Sequence, residues 1–493
     1  MKKLILSFAV IASFLLSSCQ EESKKETVEI TKSENAIETR IGTLDFTHNF
    51  DNGYPSKSTQ ELLLNEIDFQ RACQIYLWSI PIVSMEQWRY TFEKQLGFKN
   101  GQIVYQESYE DKLGGLTFNT TTPYALVFID LNDGPWIMEM PEGDVRGAVS
   151  DFWQIGIAQM TKAGKYLFVG PGQTVPSGAE SDGYSIIKMP TLNIFPGIRL
   201  MSQDEDTRLS ILKKIKIYPY SEKVNPSPRG YIRPDGKPWL AAHPKGIAYW
   251  ERLSDIINRE PVHERDRFFM AMLKPLGIEK GKPFNPTEEQ KKILTEATLV
   301  GEAMAKATDF FNPRIEESHY LDGSSWEYAA VCTPKQRREN YDDLDERAAW
   351  FYEAVTNDPM MHGQVTGKGQ IYMASYRDGD GDWLDGAVNY TLQVPVNAPV
   401  EAFWSLTIYD VSTRCIIRND TKLADRSSRM DLLKNKDGSV TIYIGPDKPE
   451  GDKSKNWIQT KAGKAWFPYF RLYSPKKEFL DKTWVLPNIE KGK

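Results

Sequence analysis

The sequence contains very little histidine, and its histidines are far apart. The five are His48, His243, His263, His319 and His362. Zinc sites usually show H-x-H, H-E-x-x-H or C-x-x-C spacings, and none of these occurs. The sequence also lacks a G-x-S-x-G nucleophile elbow and a G-x-x-x-x-G-K-[ST] phosphate loop. We therefore predict no metal and no cofactor, and no motif identifies a reaction.

The sequence also lacks an excess of positive charge. Its 61 Lys and Arg residues against 67 Asp and Glu residues give a formal net charge of −6. Proteins that bind nucleic acid normally carry a basic face, so nucleic acid is not an expected partner. The composition, 40% apolar and 26% charged, is typical of a folded globular protein. A length of 493 residues predicts two or three domains.

The apolar run at the N-terminus is short. Leu4–Leu16 follows Lys2 and Lys3, and it falls below the roughly 20 residues that a membrane-spanning helix needs. A basic start, an apolar core and small residues after it are typical of a secretion signal. The ending Leu16-Ser17-Ser18-Cys19 resembles the bacterial lipobox. In lipoproteins that Cys is acylated, and several acyl chains anchor a protein stably. We predict lipidation at Cys19; an ordinary signal peptide is the alternative.

The segment after Cys19 has the composition of a tether. Gln20–Ile41 is rich in charge and has no apolar periodicity. Gln20, rather than Asp, follows the Cys, which favours the outer membrane over the inner one. The sequence favours neither the periplasmic nor the outward face of that membrane. We divide the chain into a signal peptide (1–18), lipidated Cys and tether (19–44), N-terminal helix plus sandwich (45–205), helical bridge (206–365) and C-terminal sandwich (366–490).

The remaining cysteines are few. Cys73, Cys332 and Cys415 are an odd number, so at most one disulfide forms and one thiol stays free. Cys73 lies in an apolar helical run, which favours a buried thiol. A Cys332–Cys415 disulfide is the alternative that an oxidising compartment allows.

Most of the chain has the pattern of short strands. Apolar runs bounded by Gly and Pro recur over residues 116–202 and 370–486, whereas helical periodicity dominates residues 203–322 and 341–357. A helix opening near Ser58 is predicted to stop at Pro81, and Thr287–Gln290 is a capping signal. The fold class is therefore mainly β with helical insertions (α+β): two antiparallel β-sandwiches joined by a helical segment.

The strand Phe403–Tyr409 shows the clearest alternation. Trp404, Leu406 and Ile408 form a fully apolar face. The opposite face mixes aromatic rings with hydroxyl groups, as strands do when that side is partly buried or lines a pocket. We predict that this strand lies at the centre of the C-terminal sandwich, with Trp404 in the core.

Several local patterns together resemble known families. In the N-terminal half they are Gly53-Tyr54-Pro55, Arg71-Ala72 through Tyr76, Asn119-x-x-Thr122-x-Tyr124 and Asp130…Gly134-Pro135. In the C-terminal half they are Leu384-Asp385-Gly386…Tyr390, Phe403–Tyr409, Asn435…Asp437-Gly438-Ser439, Asn456-Trp457 and Arg471-Leu472-Tyr473-Ser474-Pro475. The chain thus resembles bacterial proteins that pair two domains of unknown function, 1254 and 1214. Thr121 stands where that pattern usually has Asp. The resemblance implies jelly-roll-like sandwiches and no settled activity.

Polar residues within apolar strands are the candidate site residues. Asn119, Thr122 and Tyr124 stand directly before a strand, where they either line a pocket or cap the sheet by bonding backbone. Asp151 and Arg199 each interrupt an apolar strand, and an unpaired charge there is expensive. We therefore predict an Asp151–Arg199 pair, either structural or at a cleft, and these two are the candidate catalytic residues.

Three further residues are candidates for ligand binding. Arg471 lies between Phe470 and Leu472 in the C-terminal sandwich, so its charge also interrupts an apolar strand and is either structural or at a cleft. Trp153 and Tyr390 offer rings on which a sugar or an aromatic ligand could stack, although core packing is the default for both.

The loop Asp378–Asp385 has acidic residues at alternate positions. Oxygen ligands spaced in this way suit Ca²⁺. The twelfth loop position, where an EF-hand has a bidentate Glu, is Asn389. A polar loop kinked by Gly is the alternative.

Three functions agree with these features. The first is a lipid-anchored envelope protein that binds a small organic molecule or saccharide in a cleft of its sandwiches. The second is a hydrolase or lyase acting on such a molecule, with Asp151 and Arg199 or a Tyr as acid and base. The third is a surface protein that assembles with copies of itself. The aromatic and neutral polar character of the candidates favours the first.

Overall fold

The computed structural model describes residues 34–311, 314–362 and 366–492. The predicted signal peptide and the predicted lipidation at Cys19 lie outside the described residues. Within the described ranges, no helix has both the length and the apolar character needed to cross a bilayer.

The described chain contains 22 strands and eight α-helices. The first strands are β1 (Ala36–Thr39), β2 (Gly42–Asp45), β3 (Ile103–Gln106), β4 (Tyr124–Val127), β5 (Ile129–Asp130), β6 (Trp136–Met140), β7 (Val145–Asp151), β8 (Gly156–Met160), β9 (Gly164–Val169), β10 (Tyr184–Lys188), β11 (Asn193–Leu200), β12 (Lys216–Pro219) and β13 (Tyr231–Ile232). The later strands are β14 (Trp326–Tyr328), β15 (Gln370–Ser375), β16 (Tyr390–Val394), β17 (Val400–Asp410), β18 (Asp425–Ser427), β19 (Val440–Gly445), β20 (Trp457–Gln459), β21 (Trp466–Pro475) and β22 (Glu490–Lys491). The helices are α1 (Lys57–Thr91), α2 (Tyr109–Lys112), α3 (Glu205–Lys214), α4 (Ile247–Arg259), α5 (Arg267–Leu273), α6 (Glu288–Phe310), α7 (Asp345–Glu353) and α8 (Lys477–Leu480).

The chain divides after Glu66 into two units. The described part of the first unit contains the antiparallel hairpin of β1 and β2, in which Ala36 pairs with Asp45, and the first turns of α1. The second unit contains everything from Ile67 onward, including both sandwiches and the candidate site.

The N-terminal sandwich has two sheets around one apolar core. One sheet has the order β13-β3-β4-β11-β7-β8, with β5 also paired to β11, and the other has the order β10-β9-β6-β12. Alternation along β11 decides what faces this core. Ile194, Ile198 and Leu200 pack into the core between the two sheets, so Phe195 and Arg199 point to the opposite face.

The C-terminal sandwich is built in the same way. Its sheets have the orders β14-β15-β21-β17-β18 and β20-β19-β16-β22. The predicted apolar face of β17 is confirmed: Trp404, Leu406 and Ile408 are buried in the core, and the Trp404 ring stacks on Phe470 with centroids 5.5 Å apart. The fold is therefore mainly β with helical parts, as predicted.

Two details of the predicted sheets are wrong. The pairs β9–β10, β3–β13 and β19–β20 are parallel, so the sheets are mixed and not purely antiparallel. Loops that are long enough to cross from one end of a strand to the other make this arrangement possible. Within the strand-rich residues 116–202, the apolar run 148–159 is not one short strand but spans the hairpin of β7 and β8, because Gln154 turns the chain with a φ of 67°.

The segment predicted as a helical bridge also contributes strands. β12 pairs with β6 and completes the four-stranded N-terminal sheet, while β14 pairs with β15 in the C-terminal sandwich. α4 and α6 lie between these two strands in the chain, and α7 follows β14. The capping signal at Thr287 is confirmed by a reciprocal pair of hydrogen bonds with Gln290.

The prediction that Pro81 stops the first helix is wrong, because α1 continues to Thr91. A proline inside a helix removes one N–H and disturbs the carbonyls of the preceding turn. Buried side chains from elsewhere donate to carbonyls around this point. Gln154 Nε2 donates to the Pro81 carbonyl at 2.7 Å, and Arg347 Nη2 donates to the Trp78 carbonyl at 3.3 Å. Tertiary hydrogen bonds thus hold the helix through the break.

Cys73, Cys332 and Cys415 are all buried, and no two of these described cysteines form a disulfide. The buried thiol expected for Cys73 is confirmed. The alternative disulfide between Cys332 and Cys415 is not formed. Burial raises the pKa of the Cys415 thiol to about 12, which keeps it protonated and unreactive.

Candidate functional site

A cavity of about 460 Å³ lies between the two sandwiches. One wall is the outer face of the N-terminal sheet that contains β4, β7 and β11. The other wall is the outer face of the C-terminal sheet that contains β15 and β21, turned away from the core in which Trp404 and Phe470 pack. Trp88 of α1 and Trp350 of α7 also line the cavity. Residues of β-strands on both sides therefore set the positions of the lining side chains.

The N-terminal wall uses the strand faces turned away from the sandwich core. Tyr124 of β4, Ala148 of β7, and Phe195 and Arg199 of β11 line the cavity. In the sheet, Arg199 is directly opposite Tyr124 on one side and Arg146 on the other. The wall is thus aromatic at its centre and cationic near one end.

The C-terminal wall carries a row of polar and aromatic side chains. Gln370 and Tyr372 of β15, and Tyr469 and Arg471 of β21, line the cavity. Tyr372 is the cross-strand partner of Arg471, and Gln370 is the partner of Tyr473. These residues share one face of the sheet because each strand alternates with a period of two.

Arg199 reaches across the cavity to the C-terminal wall. Its Nη1 donates to Gln370 Oε1 at 2.7 Å, and its guanidinium carbon lies 5.8 Å from the centre of the Tyr124 ring. It makes no ion pair with a described carboxylate. One residue of the N-terminal sandwich is thereby bonded to the first residue of β15.

Arg471 is buried among tyrosines. Its Nη1 donates to the Tyr409 hydroxyl at 2.7 Å, and its Nη2 donates to the Thr117 carbonyl at 2.6 Å. The guanidinium carbon lies 5.0, 5.3 and 5.7 Å from the ring centres of Tyr469, Tyr372 and Tyr409. Cation–π attraction therefore replaces part of the hydration that burial removes.

The turn before β4 is organised by Asn119. Its Oδ1 accepts from the Thr121 and Thr122 backbone N–H groups at 3.0 and 2.9 Å and from Thr122 Oγ1 at 3.1 Å. Its Nδ2 donates to the Tyr124 hydroxyl. The two interpretations, capping of the backbone and lining of a pocket, both apply to Asn119. It accepts from backbone N–H groups and also fixes the Tyr124 ring in the cavity wall. Thr122 does not line the cavity; its side chain bonds only within the turn.

A buried lysine supports the same turn. Lys112 Nζ donates to the Thr120 and Thr122 carbonyls at 3.2 and 3.0 Å and lies 5.6 Å from the centre of the Tyr124 ring. Burial lowers the pKa of Lys112 to about 8. The two carbonyl dipoles and the face of the Tyr124 ring compensate part of the hydration that the buried ammonium group loses.

A carboxyl group also faces the cavity. Asp358 Oδ1 accepts from the Met360 backbone N–H at 2.8 Å, and Oδ2 accepts from Gln159 Nε2. Burial raises the pKa of Asp358 above its usual value, and the nearby Arg199 opposes that shift. A carboxyl group placed in this way is a candidate general acid or base.

The predicted pair of Asp151 and Arg199 is not formed. In the ladder of β7 and β11, Asp151 is opposite Ile194, whereas Arg199 is opposite Arg146. Five residues along a strand separate the two by roughly 16 Å. Asp151 closes the hairpin turn instead, because its Oδ1 accepts from the Ile155 backbone N–H at 2.8 Å. It does not line the cavity, and burial raises its pKa to about 6.

Two predicted stacking residues also lie away from the cavity. Trp153 packs on Trp78, with ring centroids 5.0 Å apart, and lies 5.5 Å from the guanidinium carbon of Arg347. Tyr390 is buried in β16, where its hydroxyl accepts from the Asp385 backbone N–H at 3.1 Å. Core packing, the default interpretation, accounts for both.

A lysine occupies the acidic loop considered for calcium. Lys491 Nζ lies 2.6 Å from Asp382, 3.1 Å from Asp380 and 3.4 Å from Asp378. In the described part of the chain, no group of three or more potential metal ligands is found. An ammonium group therefore balances the carboxylates that were considered as ligands for Ca²⁺.

Apart from Arg471, sequence reasoning missed the C-terminal wall of the cavity, and it also missed Asp358. Gln370, Tyr372, Tyr469 and Asp358 were not candidates, although all line the cavity. The signal was present in β21, where rings and a cation alternate with apolar residues over Phe467–Tyr473. The same alternation in β17 was interpreted correctly as a face that is partly polar.

Fold and site together define a protein of two β-sandwiches with a ligand-sized cavity between them. Residues 102–219 match the family model described as Protein of unknown function (DUF1254), and residues 369–477 match Protein of unknown function (DUF1214). The chain therefore pairs these two domains in the order that the sequence predicted. The N-terminal match contributes β4, β7 and β11 to the cavity, and the C-terminal match contributes β15 and β21.

A solved structure shares the fold of this chain. The VPA0106 protein from Vibrio parahaemolyticus superposes with a TM-score of 0.53 at 19% identity, covering 86% of this chain and 100% of its own. A putative uncharacterized protein from Burkholderia cenocepacia gives a TM-score of 0.39 at 12% identity, covering 88% of this chain and 96% of its own. No curated protein matches the chain. The similarity to the Vibrio protein extends over both sandwiches and concerns the fold alone.

Proposed function

We propose that this protein binds a small organic molecule in the cavity between its two sandwiches. The cavity itself carries the proposal. Its volume of about 460 Å³ falls within the range of roughly 300–1,000 Å³ that is typical of small-molecule sites. Such sites combine mainly apolar and aromatic walls with a few polar groups that fix orientation.

The lining agrees with that description. Phe195, Trp88 and Tyr124 supply rings on one side, and Tyr372 supplies a ring on the other. Hydrogen bonds and packing hold these rings in place: Asn119 fixes Tyr124, and Trp88 packs on Phe195 with centroids 4.7 Å apart. A wall that is fixed before the ligand arrives loses little entropy on binding.

The cellular setting belongs to the same proposal. Acylation at Cys19 would tether the ligand-binding body to the bacterial envelope, with the outer membrane as the proposed location. A Cys19→Ala variant that stays in the membrane fraction would contradict the anchor and leave the cavity proposal untouched.

A cavity-filling substitution tests the binding proposal. Ala148 lines the cavity from β7, so Ala148→Phe should place a phenyl ring in the space that the ligand needs. We expect some members of a panel of sugars, aromatic acids and aromatic alcohols to raise the melting temperature of the parent protein but not of this variant. Ala387→Phe, at an exposed position, is the matched control. Equal shifts in all three proteins, or none in the parent, would contradict the proposal.

An enzymatic function is the second candidate, and Asp358 is the observation that favours it. Its carboxyl group lies in the same cavity and has a raised pKa. The residue would act as acid or base in place of Asp151, which lies elsewhere. Turnover of an ester, glycoside or lactone substrate that disappears in Asp358→Asn would support this candidate; turnover that survives the substitution would exclude Asp358 as its base.

A further inference from the structure

We propose that the molecule held in the cavity is an organic anion, and that Arg199 and Arg471 together bind its negatively charged oxygen atoms. This inference rests on the proposed function and adds the chemical class of the ligand. The shared chemistry is an anionic oxygen group, either a carboxylate or a phosphate ester, attached to a body that fits the aromatic walls.

The first observation is that Arg471 is buried without a counter-ion. Its side chain is 3% exposed and forms no ion pair with any described carboxylate. Its two hydrogen-bond partners, the Tyr409 hydroxyl and the Thr117 carbonyl, are neutral. A guanidinium has five N–H donors, so most of its capacity is not used by the protein. Buried charges are normally paired, because desolvation of an unpaired ion is expensive.

The carboxyl group of Glu353 does not supply the missing charge. It accepts from the hydroxyl of Tyr469, whose ring lies beside Arg471. Burial raises the pKa of Glu353 well above its usual value, so this group carries little negative charge near neutral pH. The tyrosine ring thus separates Arg471 from a carboxyl group that is itself close to neutral.

The second observation is that Arg199, which is half-buried, also lacks a bonded anion. Its acceptor, the Gln370 side-chain carbonyl, is uncharged, and no described ion pair includes it. Asp358 lies within electrostatic range of Arg199, but its oxygens bond to Met360 and Gln159. The protein therefore leaves a second guanidinium without a bonded anion on the facing wall of the cavity.

The third observation is that the two arginines face one patch. Tyr372 and Tyr473 each interact electrostatically with both guanidinium groups. Gln370, the acceptor of Arg199, is the cross-strand partner of Tyr473. The Tyr473 hydroxyl is buried and has no hydrogen-bond partner in the described chain. Arg471 and Gln370, the acceptor of Arg199, thus belong to neighbouring cross-strand pairs on one face of β15 and β21, so an anion at this place in the cavity would be close to both guanidinium groups.

The overall charge of the lining agrees with this assignment. Four cationic side chains line the cavity, namely Arg146, Lys368, Arg199 and Arg471, and two carboxylates do, Asp144 and Asp358. The cationic excess attracts an anion, and guanidinium groups bind carboxylate and phosphate oxygens with short, charge-assisted bonds. Saccharides without an acidic group lack this interaction.

Four single-ring probes separate charge from shape: benzoate, phenyl phosphate, benzamide and benzyl alcohol. Isothermal titration of the purified protein should show binding of benzoate or phenyl phosphate, and weaker or no binding of the two neutral probes. Whether benzoate or phenyl phosphate binds more tightly distinguishes the carboxylate source from the phosphate source. Arg199→Gln should weaken the anion by about 10- to 100-fold, because one charge-assisted contact is lost.

Controls keep the two proposals separate. Arg337→Gln, which removes a surface arginine paired with Asp342, should leave binding unchanged. Arg199→Lys keeps the charge and should retain part of the affinity lost in Arg199→Gln. Benzamide binding as tightly as benzoate, or an unchanged benzoate affinity in Arg199→Gln, would overturn the anion proposal while Ala148→Phe still reports on the cavity. Absence of binding by all four probes would overturn the anion proposal, whereas the binding proposal is decided by the melting shifts of the wider panel in the parent and in Ala148→Phe.

Discussion

Replacing Asp151 by Asn should stabilise the protein at neutral pH and have much less effect in acid. The Asp151 side chain is buried at the β7–β8 turn, and burial raises its pKa from 3.8 to about 6, against the attraction of Arg265 and Arg347. The folded state therefore holds this proton more tightly than the unfolded state. Stability is lost as the pH rises from about 4 to about 6 and stays lower above that range.

The size of the effect follows from the shift. Each pKa unit corresponds to about 1.4 kcal/mol, so ionisation of Asp151 costs about 3 kcal/mol at neutral pH. Asn cannot ionise, and its Oδ1 is able to keep accepting the Ile155 N–H bond, now 2.8 Å long. Between about pH 4.5 and about pH 7.5, the advantage of the variant in free energy of unfolding should grow by about 2 kcal/mol.

Urea unfolding of parent and variant at both pH values measures this difference, because groups common to the two proteins cancel. Asp431→Asn is the matched control, since that side chain is 94% exposed and its substitution should change the unfolding midpoint equally at both pH values. Binding of the aromatic probes should be the same in Asp151→Asn and the parent. A variant that is less stable at neutral pH, or a difference that does not change with pH, would refute the reasoning.

Three other predictions concern stability. Trp404→Ala should lower the free energy of unfolding by about 3–5 kcal/mol, because the Trp404 ring packs on Phe470 inside the C-terminal core. The affinity for the aromatic probes should not change; weaker probe binding under conditions in which the variant is fully folded would contradict this. Added Ca²⁺ should leave the melting temperature unchanged, since Lys491 already balances the acidic loop; a calcium-dependent rise would restore the metal interpretation. A reductant should also leave the melting temperature unchanged, because Cys332 and Cys415 are free; a drop would indicate a disulfide.

The sequence predicts which side chains share a face of a strand better than it predicts which residues of the two sandwiches come together. The alternation of β17 correctly placed Trp404 in the core, and the cost of charge in an apolar strand correctly marked Arg199 and Arg471 as unusual. Both arginines indeed line the cavity. Their convergence was not predictable, because it depends on how two sandwiches far apart in the sequence meet, and strand periodicity carries no information about that contact.

The wrong predictions for Asp151 and Pro81 have identifiable physical causes. Asp151 was treated as a charge in the middle of a strand, but Gln154 adopts a positive φ and turns the chain just after it. The carboxylate then has a backbone N–H to accept from and needs no arginine. Pro81 was treated as a helix end, but Gln154 and Arg347 bond to carbonyls around it. Such compensation comes from residues distant in the sequence.

The central claim is that the cavity between the sandwiches holds an organic anion, and one titration tests it most directly. Benzoate or phenyl phosphate is titrated into the parent protein and into Ala148→Phe. The account predicts saturable binding to the parent and no measurable binding to the variant, whose added ring occupies the cavity. Equal affinity for both proteins would place the anion elsewhere and contradict the account.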